Sequence, residues 1–118
     1  MRRTALTVLI AVVIGSLGAQ AAFAAVASTI TIGWNPTTER FHGKVTSPNA
    51  ECIADRTVKL FKVTAAGPAL QGRTHTNANG GWRVELMHAH GHYFARTPMQ
   101  MVMGVTCAGD RSPTIAVM

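Results

Sequence analysis

Beyond its first two dozen residues the chain alternates apolar and polar positions with a period of two, the pattern of strands that bury one face and wet the other. Ile30, Ile32 and Trp34 alternate with Thr29, Thr31 and Gly33 and predict a first strand, which Asn35-Pro36 breaks. Phe41, Gly43 and Val45 alternate with His42, Lys44 and Thr46 in a second, ended by Ser47-Pro48-Asn49. A loop carrying Cys52 leads to a third strand over Thr57 to Val63, with Val58 and Leu60 on one face and Lys59 on the other. Ala65-Ala66-Gly67-Pro68 reads as a turn, and a short fourth strand covers about Leu70 to His75.

The same rhythm continues to the C-terminus. Asn77-Ala78-Asn79-Gly80-Gly81 is rich in residues that tolerate positive φ and reads as a hairpin turn. In the fifth strand Trp82, Val84 and Leu86 face inward, opposite Arg83 and Glu85. Gly91 opens a sixth, in which Tyr93 and Ala95 point inward and which Pro98 closes; Thr114 to Met118 supplies the seventh after Ser112-Pro113. Short strands separated by turn residues roughly every ten to twelve positions belong to all-β sandwiches. The expected fold is therefore all-β, an Ig-like β-sandwich of about seven strands, with no helical periodicity and no internal repeat. The outermost strands, first and seventh, are free to accept a further strand from another chain.

The N-terminus follows another rule. Arg2 and Arg3 precede an apolar run from Ala5 through Val13, and Ala22-Phe23-Ala24 is a small-residue stop, so residues 1–24 read as a signal peptide and 25–118 as a single domain. The run ends at Gly15-Ser16, short of the ~20 apolar residues that a membrane span requires. No cysteine near Ala24 offers a site for lipid attachment, and the flanks of a twin-arginine signal are missing. The expected location is secreted or extracytoplasmic, with no transmembrane anchor in the mature form.

Charge narrows the partners. The whole chain carries +6; without Arg2 and Arg3, nine Lys and Arg face five Asp and Glu, a net +4. That excess favours anionic envelope polymers or lipid headgroups, or simply solubility. The basic residues look scattered along the chain and few aromatics accompany them, so nucleic acid is not expected.

Cys52 and Cys107 are the two cysteines. In an oxidising compartment an even pair in a small domain reads as one disulfide. Closing the long loop between them removes unfolded-chain entropy worth roughly 4 kcal/mol. In a seven-stranded sandwich the second-to-third and sixth-to-seventh connections emerge at the same end, which brings the two cysteines within reach. A copper thiolate at Cys107 would need a following histidine, and none occurs.

Four blocks carry a family likeness: Gly43-Lys44-Val45, Val58-Lys59-Leu60-Phe61, Thr74 through Trp82, and Gly91-His92-Tyr93-Phe94-Ala95. Together, over most of Phe41 to Ala95, they resemble the prealbumin-like modules, the carboxypeptidase regulatory-like and transthyretin-like domains. The resemblance implies a non-catalytic companion or binding module. The cysteine pair and the Met-rich tail depart from the general pattern.

Two clusters offer chemistry of their own. His88, His90 and His92 alternate, and in an extended strand their imidazoles would share one face where copper, zinc or nickel binds, although no carboxylate stands by to fix their tautomers. Met99, Met101 and Met103 alternate too, as soft ligands for Cu(I) or as flexible apolar filler at the end of the sandwich. Seven extended residues between His92 and Met99 span roughly 23 Å, so these are two places. Glu51, Asp55, Glu85 and Asp110 are dispersed and form no hydrolytic set with serine and histidine; no catalytic residue is expected. The expected function is a non-catalytic binding, accessory or structural module that meets an extracellular or envelope component and needs no cofactor. The alternative is a metal-binding protein using copper or zinc at His88, His90 and His92.

Overall fold

The computed structural model describes residues 24–118, so the predicted leader falls outside the described residues up to Phe23. Eleven strand segments follow one another: β1 (Thr29–Ile30), β2 (Gly33–Asn35), β3 (Arg40–Thr46), β4 (Thr57–Thr64), β5 (Gly67–His75), β6 (Gly81–Glu85), β7 (Gly91–Thr97), β8 (Gln100–Val102), β9 (Val105–Cys107), β10 (Asp110–Arg111) and β11 (Ile115–Val117). One sheet is built on β3, with β1 and β2 along one edge and β6 along the other; the second runs β10/β11, β7, β4, β5. All pairings within the two sheets are antiparallel.

The predicted first strand is interrupted for an identifiable reason. Thr29↔Thr46, Ile30↔Val45 and Gly33↔His42 keep one register across the gap. Between them the Thr31 carbonyl turns to accept the indole N–H of Trp82 at 3.2 Å, while the Thr31 hydroxyl takes over the backbone role and accepts from Lys44 N at 2.9 Å. Gly43 makes this crossing possible. A Cβ there would collide with the Thr31 carbonyl and come within 2.7 Å of Trp82 Nε1.

The last strand is split in the same manner. β10 pairs with β7 through Arg111↔Arg96, and β11 resumes through Ile115↔Tyr93, one residue out of register. At the break Ser112 N donates to Ala95 O, and Ala95 N donates to the Ser112 hydroxyl, each at 2.8 Å, so the side chain completes the ladder that Pro113 cannot extend. Counting β1/β2 and β10/β11 as single strands, the two sheets together hold the seven expected, with β8 and β9 outside them.

Four expectations are corrected. The fourth strand, β5, runs the full nine residues from Gly67 and includes Pro68, which an edge strand tolerates because its N–H side faces away from the ladder. Asn77–Gly81 is not a hairpin turn but an arch between sheets, since β5 and β6 lie in different ones. Asn77 Oδ1 accepts from Asn79 N and Gly81 N, both at 2.9 Å, and Gly80, at φ 85, presents its carbonyl to Val45 N. β5 joins β4, on the side of the third, sixth and seventh strands, whereas the constant-type immunoglobulin arrangement places the fourth beside the fifth. Finally, β8 and β9 form an additional two-stranded hairpin.

The core lies between the sheets. Ile30, Phe41, Val45 and Trp82 from the first meet Val58, Leu60, Tyr93, Ala95 and Val117 from the second. Phe41 sits at its centre, with Trp34 at 4.5 Å and Tyr93 at 4.7 Å between ring centroids. Asp110 turns inward at one seam and accepts from Ile30 N at 2.9 Å, stitching sheet to sheet.

The Cys52–Cys107 disulfide is present, with Cα atoms 5.5 Å apart, and both residues are fully buried. Beside it lies a residue that the alternation pattern does not reveal. Arg56 is fully buried, and its guanidinium donates to Ser28 Oγ, Cys52 O, Ala108 O and Pro98 O at 2.8 to 3.3 Å. Three loops thus converge on one cation. Burial lowers its pKa from the ordinary arginine value, and the group stays charged across the pH range of a folded protein.

Candidate functional site

Strand register decides what the predicted site residues can do together. His88 occupies a left-handed turn at φ 59, with its N–H donating to Glu39 Oε2 at 2.9 Å. His90 Nδ1 lies 3.2 Å from the His88 carbonyl, and the Tyr93 hydroxyl both accepts from His90 N and donates to His90 O. His92 is already on β7, opposite Ala116. The extended geometry needed to put the three imidazoles on one face is therefore broken at His88. Among the described residues no three His, Cys, Asp or Glu side chains gather as a metal site.

The methionines are not filler. Met99, Met101 and Met103 are 69, 70 and 82 % exposed, on and just before the β8–β9 hairpin.

The outer face of the second sheet holds a constellation that the linear sequence hides. Paired residues on neighbouring strands share a face, and the register sets Arg111 opposite Arg96, Arg96 opposite Lys59, and Lys59 opposite Arg73. Four cations from β10, β7, β4 and β5 form one row across the whole sheet. The premise that the basic residues are scattered is thus overturned. Among the described residues one ion pair occurs, Arg40 with Glu85 on the other sheet, and it leaves this row without a carboxylate.

Next to the row lies an apolar one. Phe94 is opposite Phe61, and Phe61 opposite Leu70, with Val63 opposite Pro68 one step further. The two phenyl rings stack at 5.2 Å, and the Arg111 guanidinium lies over Phe94 at 3.7 Å from its centroid, within cation–π range. Phe94 is consequently only 3 % exposed although it points away from the core. A β-bulge at Leu60/Phe61 bends this part of the face, and a cleft of about 270 Å³ is lined by Phe61, Pro68, Phe94, Arg96 and Arg111. Such a lining, apolar with two guanidiniums at its rim, suits an anionic group attached to an apolar body.

A second, polar cleft of about 450 Å³ opens where β5 and β6 diverge, lined by His42, Thr74, His75, Asn77, Trp82 and Arg83. Elsewhere three of the five carboxylates are committed to structural bonds: Glu39 to His88 N, Glu85 to Arg40 and Asp110 to Ile30 N. Among the described residues no helix is long and apolar enough to cross a membrane.

Comparison with protein-family models, with curated proteins and with solved structures finds no match for this chain. The functional reading rests on the site itself.

Proposed function

We propose that this chain is an exported, non-catalytic binding module that holds an anionic component of the cell exterior against the outer face of its second sheet. The observation that carries the reading is the cross-strand row Arg111, Arg96, Lys59, Arg73. Like charges directly opposite one another on adjacent strands destabilise a sheet, and a neighbouring carboxylate would relieve the repulsion. A multivalent anion does the same work from outside, through charge-assisted hydrogen bonds to three guanidiniums and an ammonium. In architecture the module is of the prealbumin-like kind, a reading supported by its two antiparallel layers and by the Thr74–Trp82 arch. Export is supported by the Arg2-Arg3 leader pattern and by the disulfide. The non-catalytic role is supported by the structural commitment of Glu39, Glu85 and Asp110.

The test is retention on immobilised dextran sulfate against uncharged dextran. The wild-type protein is retained and elutes at raised salt. A variant with Lys59, Arg73, Arg96 and Arg111 all changed to Gln passes through, while one with Arg40, Lys44 and Arg83 of the other sheet changed to Gln stays bound. Equal retention of the two variants would overturn the proposal.

A further inference from the structure

The β8–β9 hairpin stands apart from both sheets and is built from a rigid base and an apolar tip. At its base Cys107 is bonded to Cys52, and Val26 bridges to Cys107. The Gln100 side chain accepts from Thr57 N at 3.1 Å and donates to Asp55 O at 3.2 Å. At its tip Met103 and Gly104, at φ 51 and 80, form a two-residue turn between Val102 and Val105. Positive φ at both turn positions matches the twist of a tight hairpin, and Gly104 supplies one of them without strain. A two-stranded hairpin alone is marginal in water. This one is clamped at the root and holds Met99, Met101 and Met103 out to solvent at 69, 70 and 82 % exposure.

Register fixes where it departs from the sheet that carries the cationic row. The chain leaves the second sheet at Thr97 and returns at Asp110, which are paired, and the next pair inward is Arg96 with Arg111. The Arg96–Arg111 pair is therefore the first cross-strand pair inward from the loop that carries the exposed thioether hairpin, and the row continues from it through Lys59 to Arg73.

We infer that the anionic component is a lipid surface, which the row meets at the phosphates while Met101 and Met103 enter the headgroup–acyl boundary. This rests on the anion-binding reading above and names its partner. A cationic surface with an apolar projection at its margin is complementary to an anionic bilayer, where the two attractions add. Methionine suits the purpose, since an unbranched, flexible thioether adapts to a disordered phase without a shaped pocket. A soluble polyanion would satisfy the row and leave the tip in water. A single-stranded nucleic acid would need open ring faces for its bases; Phe94 is covered by Arg111 on one side and stacked on Phe61.

The experiment is co-sedimentation of the disulfide-bonded protein with vesicles of phosphatidylcholine alone and of phosphatidylcholine mixed with phosphatidylglycerol, alongside dextran sulfate retention. The wild-type protein sediments with the mixed vesicles and not with phosphatidylcholine. The Met101→Ser/Met103→Ser variant keeps its dextran sulfate retention and loses vesicle affinity by about tenfold or more. Lys59→Gln/Arg96→Gln weakens both. A Met101→Trp variant shows a blue-shifted emission on the mixed vesicles, placing the tip in an apolar medium. Vesicle binding unchanged in the double Ser variant, or an unshifted Met101→Trp emission, would overturn the inference. Retention on dextran sulfate without any vesicle binding rejects the lipid and keeps the anion site; failure on both rejects both readings. Self-association that the double Ser variant abolishes would assign the tip to a second copy instead.

Discussion

Lys59 of β4 and Arg96 of β7 are cross-strand partners, and each has a further cation, Arg73 or Arg111, as its partner on the far side. Such a row works against the sheet that displays it. Replacing Lys59 by Glu would set a carboxylate between Arg96 and Arg73 and turn two of the three like-charge pairs into opposite-charge ones, and the expected result is a gain in stability of about 0.5 kcal/mol at low salt together with loss of dextran sulfate retention. Urea denaturation at low and high salt measures the first effect. The wild-type protein gains stability as salt screens the repulsion and the variant does not, so a Lys59→Glu protein less stable than wild type at low salt would contradict the account.

Arg56 is the opposite case, a cation without a carboxylate that holds structure together. Its guanidinium satisfies Cys52 O, Pro98 O and Ala108 O beside the disulfide. Arg56→Met keeps much of the volume and removes every donor, leaving buried carbonyls unpaired at an expected cost of about 3 kcal/mol. Arg56→Lys keeps the charge but cannot fork among four acceptors, and falls between. Denaturation midpoints in the order wild type, Arg56→Lys, Arg56→Met check this; an Arg56→Met midpoint equal to wild type would show the three loops to be held otherwise.

Much of this sandwich is legible in the sequence because its inner faces obey a period of two. Alternation groups Phe41 with Val45 and Val58 with Leu60, each pair on one face, and points Tyr93 and Ala95 inward, and all six are buried. The disulfide follows from the same reasoning, since strand count fixes which loops share an end. What alternation cannot supply is register. It places Lys59 and Arg96 outward, yet whether they stand level depends on hydrogen bonds between strands distant in sequence, and Arg73 depends in addition on the Leu60/Phe61 bulge. The His triplet shows a related limit: the alternation extends into a turn, where His88 at φ 59 is no longer extended. Arg56 was missed because a buried charge looks like any surface charge until its acceptors arrive from Ser28, Pro98 and Ala108.

The disulfide closes a loop of 55 positions and joins the 3-10 turn Ala50–Cys52 to the root of the β8–β9 hairpin. Cys52→Ala/Cys107→Ala is expected to lose roughly 4 kcal/mol by relaxing the unfolded chain. For a domain of this size that is a large share of its stability. Thermal unfolding with and without reductant provides the measurement. The wild type falls to the level of the double variant when reduced, and insensitivity to reductant would exclude a stabilising role for the bridge.

Gly43 is where three strands' worth of geometry meets, for the Thr31 carbonyl reaches the Trp82 indole directly across it. Gly43→Ala puts a methyl group against that carbonyl and 2.7 Å from Trp82 Nε1, and since one partner is backbone and the other is 4 % exposed in the core, neither can move freely. Relief requires β1 and β2 to lift from β3 or the indole to leave its acceptor, at an expected cost of about 2 kcal/mol. The indole is also the reporter. Loss of its hydrogen bond and a wetter setting predict a red-shifted tryptophan emission in the native variant, alongside a lower urea midpoint. A Gly43→Ala protein with wild-type emission and midpoint would mean that the edge strand tolerates the displacement, and that the interruption between β1 and β2 owes nothing to the close approach at Gly43.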